Sequence, residues 1–196
     1  IHHRVKNNLQ VICSLLNLQS RSIKDETAYQ ILKESQNRVR AMALIHEKLY
    51  QSQDLSRINF AEYIHYLANN LFRSYGINTS MITLKTEISP RILLDVDEAL
   101  SCGLIVNELI SNSLKYAFPN NQVGEITVKI QFLEKEGLVL LIGDNGIGLP
   151  IDFELENPKT LGLKLVKSWI AQSRGTLKIN SISQGIQFKI TFPGLQ

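Results

Sequence analysis

Residues 107–117 read N-E-L-I-S-N-S-L-K-Y-A, and how that stretch folds decides how the rest of the chain is organised. Wound as a helix, it sets Glu108, Ser111, Asn112 and Lys115 at i, i+3, i+4 and i+7, along a single face. Ile105, Val106, Leu109, Ile110 and Leu114 cover most of the remaining circumference, so the helix is expected to be largely buried around a narrow polar strip. A carboxylate, an amide and an ammonium on such a strip need polar partners. A metal-chelated triphosphate supplies them, with the amide oxygen on the cation and the ammonium on phosphate. An internal hydrogen-bond network supplies them as well.

The second informative stretch is G-D-N-G-I-G at 143–148, which follows the apolar run 138–142. That is a strand end turning into a glycine-rich loop. Asp144 can there accept a hydrogen bond from an exocyclic amine, while Gly146 and Gly148 let the backbone approach a flat ring. Further on, L-G-L-K-L-V at 161–166 begins a helix behind Thr160, and Gly162 in its first turn leaves free backbone N–H groups where phosphates bind. No G-x-x-x-x-G-K-[ST] occurs, so this is not a P-loop. The three segments together resemble the N, G1 and G2 boxes of the ATP-binding superfamily shared by gyrase, Hsp90, MutL and histidine kinases (GHKL).

Composition sets wide bounds. The 196 residues, 44% hydrophobic and 20% charged, suit one or two globular domains. A formal charge of +3 with dispersed basic residues does not imply nucleic acid. Cys13 and Cys102 both fall in helical apolar patterns and read as buried thiols of a reducing compartment, without metal-ligand spacing. There is no apolar run of spanning length and no signal peptide, and a cytoplasmic location is expected for this portion. The chain opens inside a helical pattern without an initiator methionine, so an upstream portion is expected.

Two amphipathic helices are predicted at the start. Over residues 1–19, Val5, Leu9, Ile12, Cys13 and Leu16 keep helical spacing. At about 100° per residue, His3 falls about 140° from the centre of that stripe and His2 only about 40° from it. His3 is therefore the exposed imidazole, placed beside Arg4, Lys6 and Asn7 to meet an anion, with solvated surface as the plain alternative. A second helix over 28–50 carries Ala28, Ile31, Leu32, Val39, Met42, Ala43, His46 and Leu49 on one side. Two such helices cannot bury both stripes alone, and a four-helix bundle made by a homodimer through residues 1–50 is the economical solution.

Residues 1–12, I-H-H-R-V-K-N-N-L-Q-V-I, with A-L-I-H-E-K-L-Y at 43–50, resemble the dimerisation and phosphoacceptor region of sensor histidine kinases, and among them the HisKA_2 subfamily close to the HWE kinases. The N box running on into Y-A-F-P at 116–119 fits HisKA_2, and the W-x-E element that names HWE kinases is missing. The resemblance covers essentially the whole chain. It implies an α+β protein, with a helical hairpin over residues 1–55 followed by a GHKL (Bergerat) α/β sandwich over residues 56–196.

It further implies ATP with Mg²⁺. Asn112 would ligate the metal, Lys115 the phosphates, and Tyr116 would pack near the nucleotide. Asp144 would read the adenine amine, and Gly146, Gly148, Thr160, Gly162 and Leu163 would shape the base and phosphate pockets. His3 would attack the γ-phosphate and pass the phosphoryl group to an aspartate of a response-regulator receiver domain. Glu108 stands where the superfamily's ATPases keep a water-activating glutamate. It would assist deprotonation of His3 or hold a metal-bound water. The polar stretch 149–160 corresponds to the ATP lid. The missing upstream portion would be the sensor domain, in a bacterial-type protein that is soluble or membrane-tethered.

Three departures stand out. Arg4, not an acid, follows His3; the G2 box lacks its leading glycine; and the F box is reduced to Phe153. Two other readings are a GHKL ATPase or switch that hydrolyses ATP through Glu108, and a non-catalytic scaffold. The scaffold is hard to reconcile with Asn112, Lys115 and Asp144 all in place.

Overall fold

The computed structural model describes the backbone of residues 2–51, 57–150, 152–181 and 184–195, and the side chains of 4–47, 57–150, 152–180 and 184–195. Two helices, α1 (His2–Ser20) and α2 (Glu26–Gln51), form the expected antiparallel hairpin. α2 starts two residues earlier than its apolar pattern because Asp25 accepts the backbone N–H of Ala28 at 2.7 Å and caps it. Gln36 ties the pair by donating to the Cys13 carbonyl at 3.2 Å.

Two expectations for the hairpin need correction. Ile12 and Ile31, assigned to the inner stripes, are 43% and 57% exposed. Cys13, expected to be buried, is only partly so. Ile31 lies within about 40° of Ile45 around α2, but Ile45, with Ala41 and Leu44, is buried in the main core in the later turns of the helix, whereas Ile31 lies almost four turns earlier and stays exposed. The side chain of Leu49 and all of residues 52–56 lie outside the described residues.

A short strand β1 (Ile58–Asn59) leads into α3 (Phe60–Ser74), which Asn59 caps by accepting the Glu62 N–H at 3.3 Å. The helix ends before Gly76, whose φ of +64° makes it a left-handed stop. Strand β2 (Ile82–Ile88) follows, then β3 (Leu93–Leu94), which pairs with β1 and was not anticipated. Asp95 and Glu98 then form a reciprocal capping box at the start of α4 (Val96–Tyr116), the helix that carries residues 107–116. Beyond it come β4 (Gly124–Leu133), β5 (Gly137–Asp144), α5 (Leu161–Gln172), β6 (Thr176–Ser181) and β7 (Ile186–Phe192).

The five long strands make one mixed sheet in the order β2-β4-β5-β7-β6, parallel only between β2 and β4. Alternation fixes its faces. Ile126, Val128 and Ile130 of β4, Leu138, Leu140 and Ile142 of β5, and Ile186, Phe188, Ile190 and Phe192 of β7 are buried at a period of two. Against them pack α3, α4 and α5, an α/β sandwich as expected. Burying each such side chain stabilises the fold by about 1.5–3 kcal/mol before entropy. α4 is the central element of the helical layer: Ile105, Val106, Leu109 and Ile110 are at most 1% exposed. Tyr63 of α3, fully buried, donates to the Ala41 carbonyl at 3.3 Å and lies so close to Gly103 that a Cβ there would sit 2.4 Å from its ring. Any larger residue at 103 would separate α3 from α4.

Candidate functional site

The strand register explains the position of Asp144. It continues the period-two series of Leu138, Leu140 and Ile142, and pairs with Ile126 on one side and Ile186 on the other. It therefore points to the core face, yet it is a carboxylate only 5% exposed. Its oxygens are held by short polar contacts: the Ser113 hydroxyl donates to Oδ2 at 2.6 Å, and the Gly146 N–H donates to Oδ1 at 3.1 Å. Each oxygen keeps acceptor capacity beyond these bonds. A carboxylate placed at the end of an apolar strand and positioned by donors on two sides can select a ligand N–H.

Asp144 lines a cavity of about 490 Å³ between the ends of α4, β5 and α5 and the segment 149–160. Asn112 and Tyr116 enter it from α4, Gly148 from the loop after β5, and Thr160 and Leu163 from the start of α5; Phe153 closes part of the outer wall. Two glycines are required here. Gly148 has φ +75°, and a Cβ on Gly146 would lie 2.2 Å from the Ala117 carbonyl oxygen. Thr160 caps α5 by accepting the Leu163 N–H at 3.5 Å. That leaves Leu161 and Gly162 with N–H groups free of this cap. Residues 152–159 are tied to each other and to α5. Lys159 pairs with Asp152 at the surface, holding that carboxyl below its ordinary range. Lys167 of α5 donates to the carbonyls of Leu155 and Glu156 at 3.0 and 2.9 Å.

The remaining predicted residues stand one turn away. Glu108 is 4% exposed, and its Oε2 lies where a Cβ on Gly162 would be, at 2.5 Å, so glycine there lets α5 approach α4. Both Glu108 oxygens are engaged by Arg38 of α2, which donates from Nε to Oε1 at 2.8 Å and from Nη2 to Oε2 at 2.7 Å. Asn107 donates to the same Oε1 at 3.0 Å. Burial alone would depress the Arg38 guanidinium, but its hydrogen bonds and attraction to Glu108 and Glu34 outweigh that and raise its pKa. Lys115 reaches across to Glu34 of α2 at 2.7 Å and lies 5.2 Å over the Tyr116 ring. Lys115, Glu108, Gly146 and Gly162 thus adjoin the cavity without lining it. Glu108 and Lys115 of the α4 strip are met by Arg38 and Glu34 of α2, whereas Asn112 faces the cavity.

His3 lies in the first turn of α1, and its side chain lies outside the described residues. His65 is exposed, and His46 is partly buried. Sequence reasoning missed three side chains that shape this region. Ser113 sits in the N-S-L-K segment but off the strip of four. Glu34 and Arg38, one turn apart on α2, carry no motif. Among the described residues no group of three or more His, Cys, Asp or Glu is placed to hold a metal ion. No described helix is long and apolar enough to cross a membrane.

Comparison with known proteins is consistent with this geometry. Residues 1–75 match the profile described as "Histidine kinase", and residues 98–196 that described as "Histidine kinase-, DNA gyrase B-, and HSP90-like ATPase". The sensor histidine kinase PdtaS of Mycolicibacterium smegmatis is 32% identical over 187 residues, covering 94% of this chain and 37% of the relative. Blue-light-activated histidine kinase 2 of Erythrobacter litoralis is 25% identical over 201 residues, covering 98% of this chain and 56% of the relative. The chain thus spans between about a third and about half of the length of these curated relatives. In fold, it superimposes on the histidine kinase domain of the E. litoralis EL346 blue-light activated histidine kinase with a TM-score of 0.74, at 23% identity, over 98% of this chain and 88% of that one.

Proposed function

This chain belongs to the histidine kinase-, DNA gyrase B-, and HSP90-like ATPase family, and from that premise we propose that it is the catalytic core of a sensor histidine kinase. In this reading residues 1–55 form the dimerisation and phosphoacceptor hairpin and residues 56–196 bind ATP. The observation that carries it is the buried Asp144 carboxylate in a cavity whose far wall holds Asn112 and the capped start of α5.

Each part has a task. Asp144, oriented by Ser113 and the Gly146 N–H, accepts from the exocyclic amine of adenine, while Gly148 and Leu163 shape the base pocket and Tyr116 packs beside it. Thr160 and the N–H groups of Leu161 and Gly162 face the phosphates, which the positive end of α5 favours. The amide oxygen of Asn112 is the protein ligand for Mg²⁺. A single amide suits an ion that takes most of its remaining ligands from phosphates and water. The magnesium ion, when bound, neutralises phosphate charge.

His3 attacks the γ-phosphorus in line. A nitrogen–phosphorus bond forms, the bond to the bridging oxygen breaks and ADP leaves; the protein contributes mainly positioning. The phosphoryl group then passes to an aspartate of a receiver domain. Val11, Leu15 and Leu18 of α1, 55–62% exposed, give the hairpin an apolar face suited to a second copy. Hydrolysis through Glu108 is less well supported, because both of its oxygens are engaged by Arg38. Incubation with γ-labelled ATP tests the proposal. Covalent label stable to alkali and labile to acid is expected, and phosphate release without label would favour hydrolysis.

A further inference from the structure

α2 supplies a carboxylate to the lysine that the nucleotide reading assigns to phosphate. Glu34 Oε1 lies 2.7 Å from Lys115 Nζ, and its other oxygen lies 3.4 Å from Arg38 Nη2. Arg38 in turn holds Glu108. The four groups form an electrically balanced row joining the hairpin to α4: Lys115, Glu34, Arg38 and Glu108. They are mostly shielded, with side-chain exposures of 18%, 24%, 11% and 5%.

We infer that Glu34 is an intramolecular competitor of the nucleotide's phosphates for Lys115. This rests on the nucleotide reading of the same site. The chemistry is direct. Lys115 is a point charge on a flexible stem and makes its strong contacts with anions. With Glu34 at hydrogen-bond distance, its charge is already neutralised. A polyphosphate arriving at the α5 end of the cavity meets a paired ammonium and a carboxylate of like charge beside it. Binding therefore requires the Glu34 side chain to withdraw, while Arg38 can stay on Glu108. By reciprocity, phosphate on Lys115 weakens one of the two ion pairs that join α2 to α4 among the described residues. Nucleotide binding would then loosen the helix pair that carries His3. Adenosine, which has no phosphate to offer Lys115, should be indifferent to Glu34.

The test is titration of the 196-residue chain with ATP and Mg²⁺, and separately with adenosine, in wild type, Glu34→Gln, Glu34→Asp and Glu47→Gln. Glu47 lies on the same helix and pairs with Lys6, so Glu47→Gln changes the net charge equally without touching Lys115. Glu34→Gln should bind ATP at least about threefold more tightly, the order expected on removing a partly exposed ion pair. Glu34→Asp, which keeps the charge but withdraws it by one methylene, should fall between. Adenosine affinity should not change, and Glu47→Gln should match wild type. Unchanged or weaker ATP binding in Glu34→Gln would overturn the competition, as would equal tightening for adenosine. Failure of wild type to bind either ligand would overturn the nucleotide reading and this inference with it.

Discussion

Arg38 on α2 and Glu108 on α4, 70 positions apart in the chain, are joined by two hydrogen bonds of 2.8 and 2.7 Å with both side chains shielded from solvent. This fork fastens the helical hairpin to the central helix of the sandwich. It also engages both oxygens of Glu108, the one buried carboxylate outside the cavity among the described residues.

Removing the guanidinium should therefore be costly. Arg38→Met leaves Glu108 buried with Asn107 as its remaining donor, and a loss of about 3 kcal/mol is expected. Adding Glu108→Gln should recover a large part of it, since the uncompensated charge is then gone. Urea unfolding of the two single variants and the double variant measures the coupling. Strictly additive losses would show that the two side chains do not interact.

Ser113→Ala should have two effects of different origin. It removes the donor to Asp144 Oδ2, at a cost of about 1.5–3 kcal/mol for a bond to a charged group. It also frees the carboxylate to rotate, so ATP affinity should fall while the fold is kept. A thermal melt and a nucleotide titration on the same sample separate these effects, and a variant with full ATP affinity would show that Ser113 does not orient Asp144.

At Gly146 the constraint is steric. An added Cβ meets the backbone of Ala117, which cannot give way as a flexible side chain can. Gly146→Ala should cost about 1–3 kcal/mol and distort the loop that follows Asp144. Gly194, with nothing within 4 Å of the same position, should accept alanine with little change in melting temperature.

Stability should fall in alkali. Burial, with a smaller contribution from the negative charge of Glu98, pushes the Cys102 thiol well above its ordinary value of 9.0. Above that value the unfolded chain has released the proton and the folded one has kept it. The slope of unfolding free energy against pH is then negative. Urea midpoints between about pH 8 and 10 should show the decline, and Cys102→Ala should make it shallower. Tyr63, also raised by burial, keeps some slope in the variant.

How legible this was in the sequence depended on the range of the interaction. Asn112 and Asp144 were readable because helical spacing and the end of an apolar run are local signals, Tyr116 followed only from the family resemblance, and the fold brings all three to one cavity. Glu34 and Arg38 were not readable. They look like ordinary polar positions on α2, and nothing in periodicity says that α4 will cover them 70 or more positions later. Ile12, Ile31 and Cys13 were misplaced because helical spacing says which residues share a face, not how far along a helix that face is covered. Ser113 was overlooked because it lies off the polar strip, and its role appears only when the sheet register turns Asp144 towards the helices.

The central claim is that His3 takes the γ-phosphoryl group from ATP held at Asp144. Labelling with γ-labelled ATP and Mg²⁺ in wild type and His3→Ala tests it most directly, with the same ATP affinity checked in both. The account predicts acid-labile, alkali-stable label in wild type and its loss in His3→Ala. Equal labelling of the two proteins would contradict the assignment of His3.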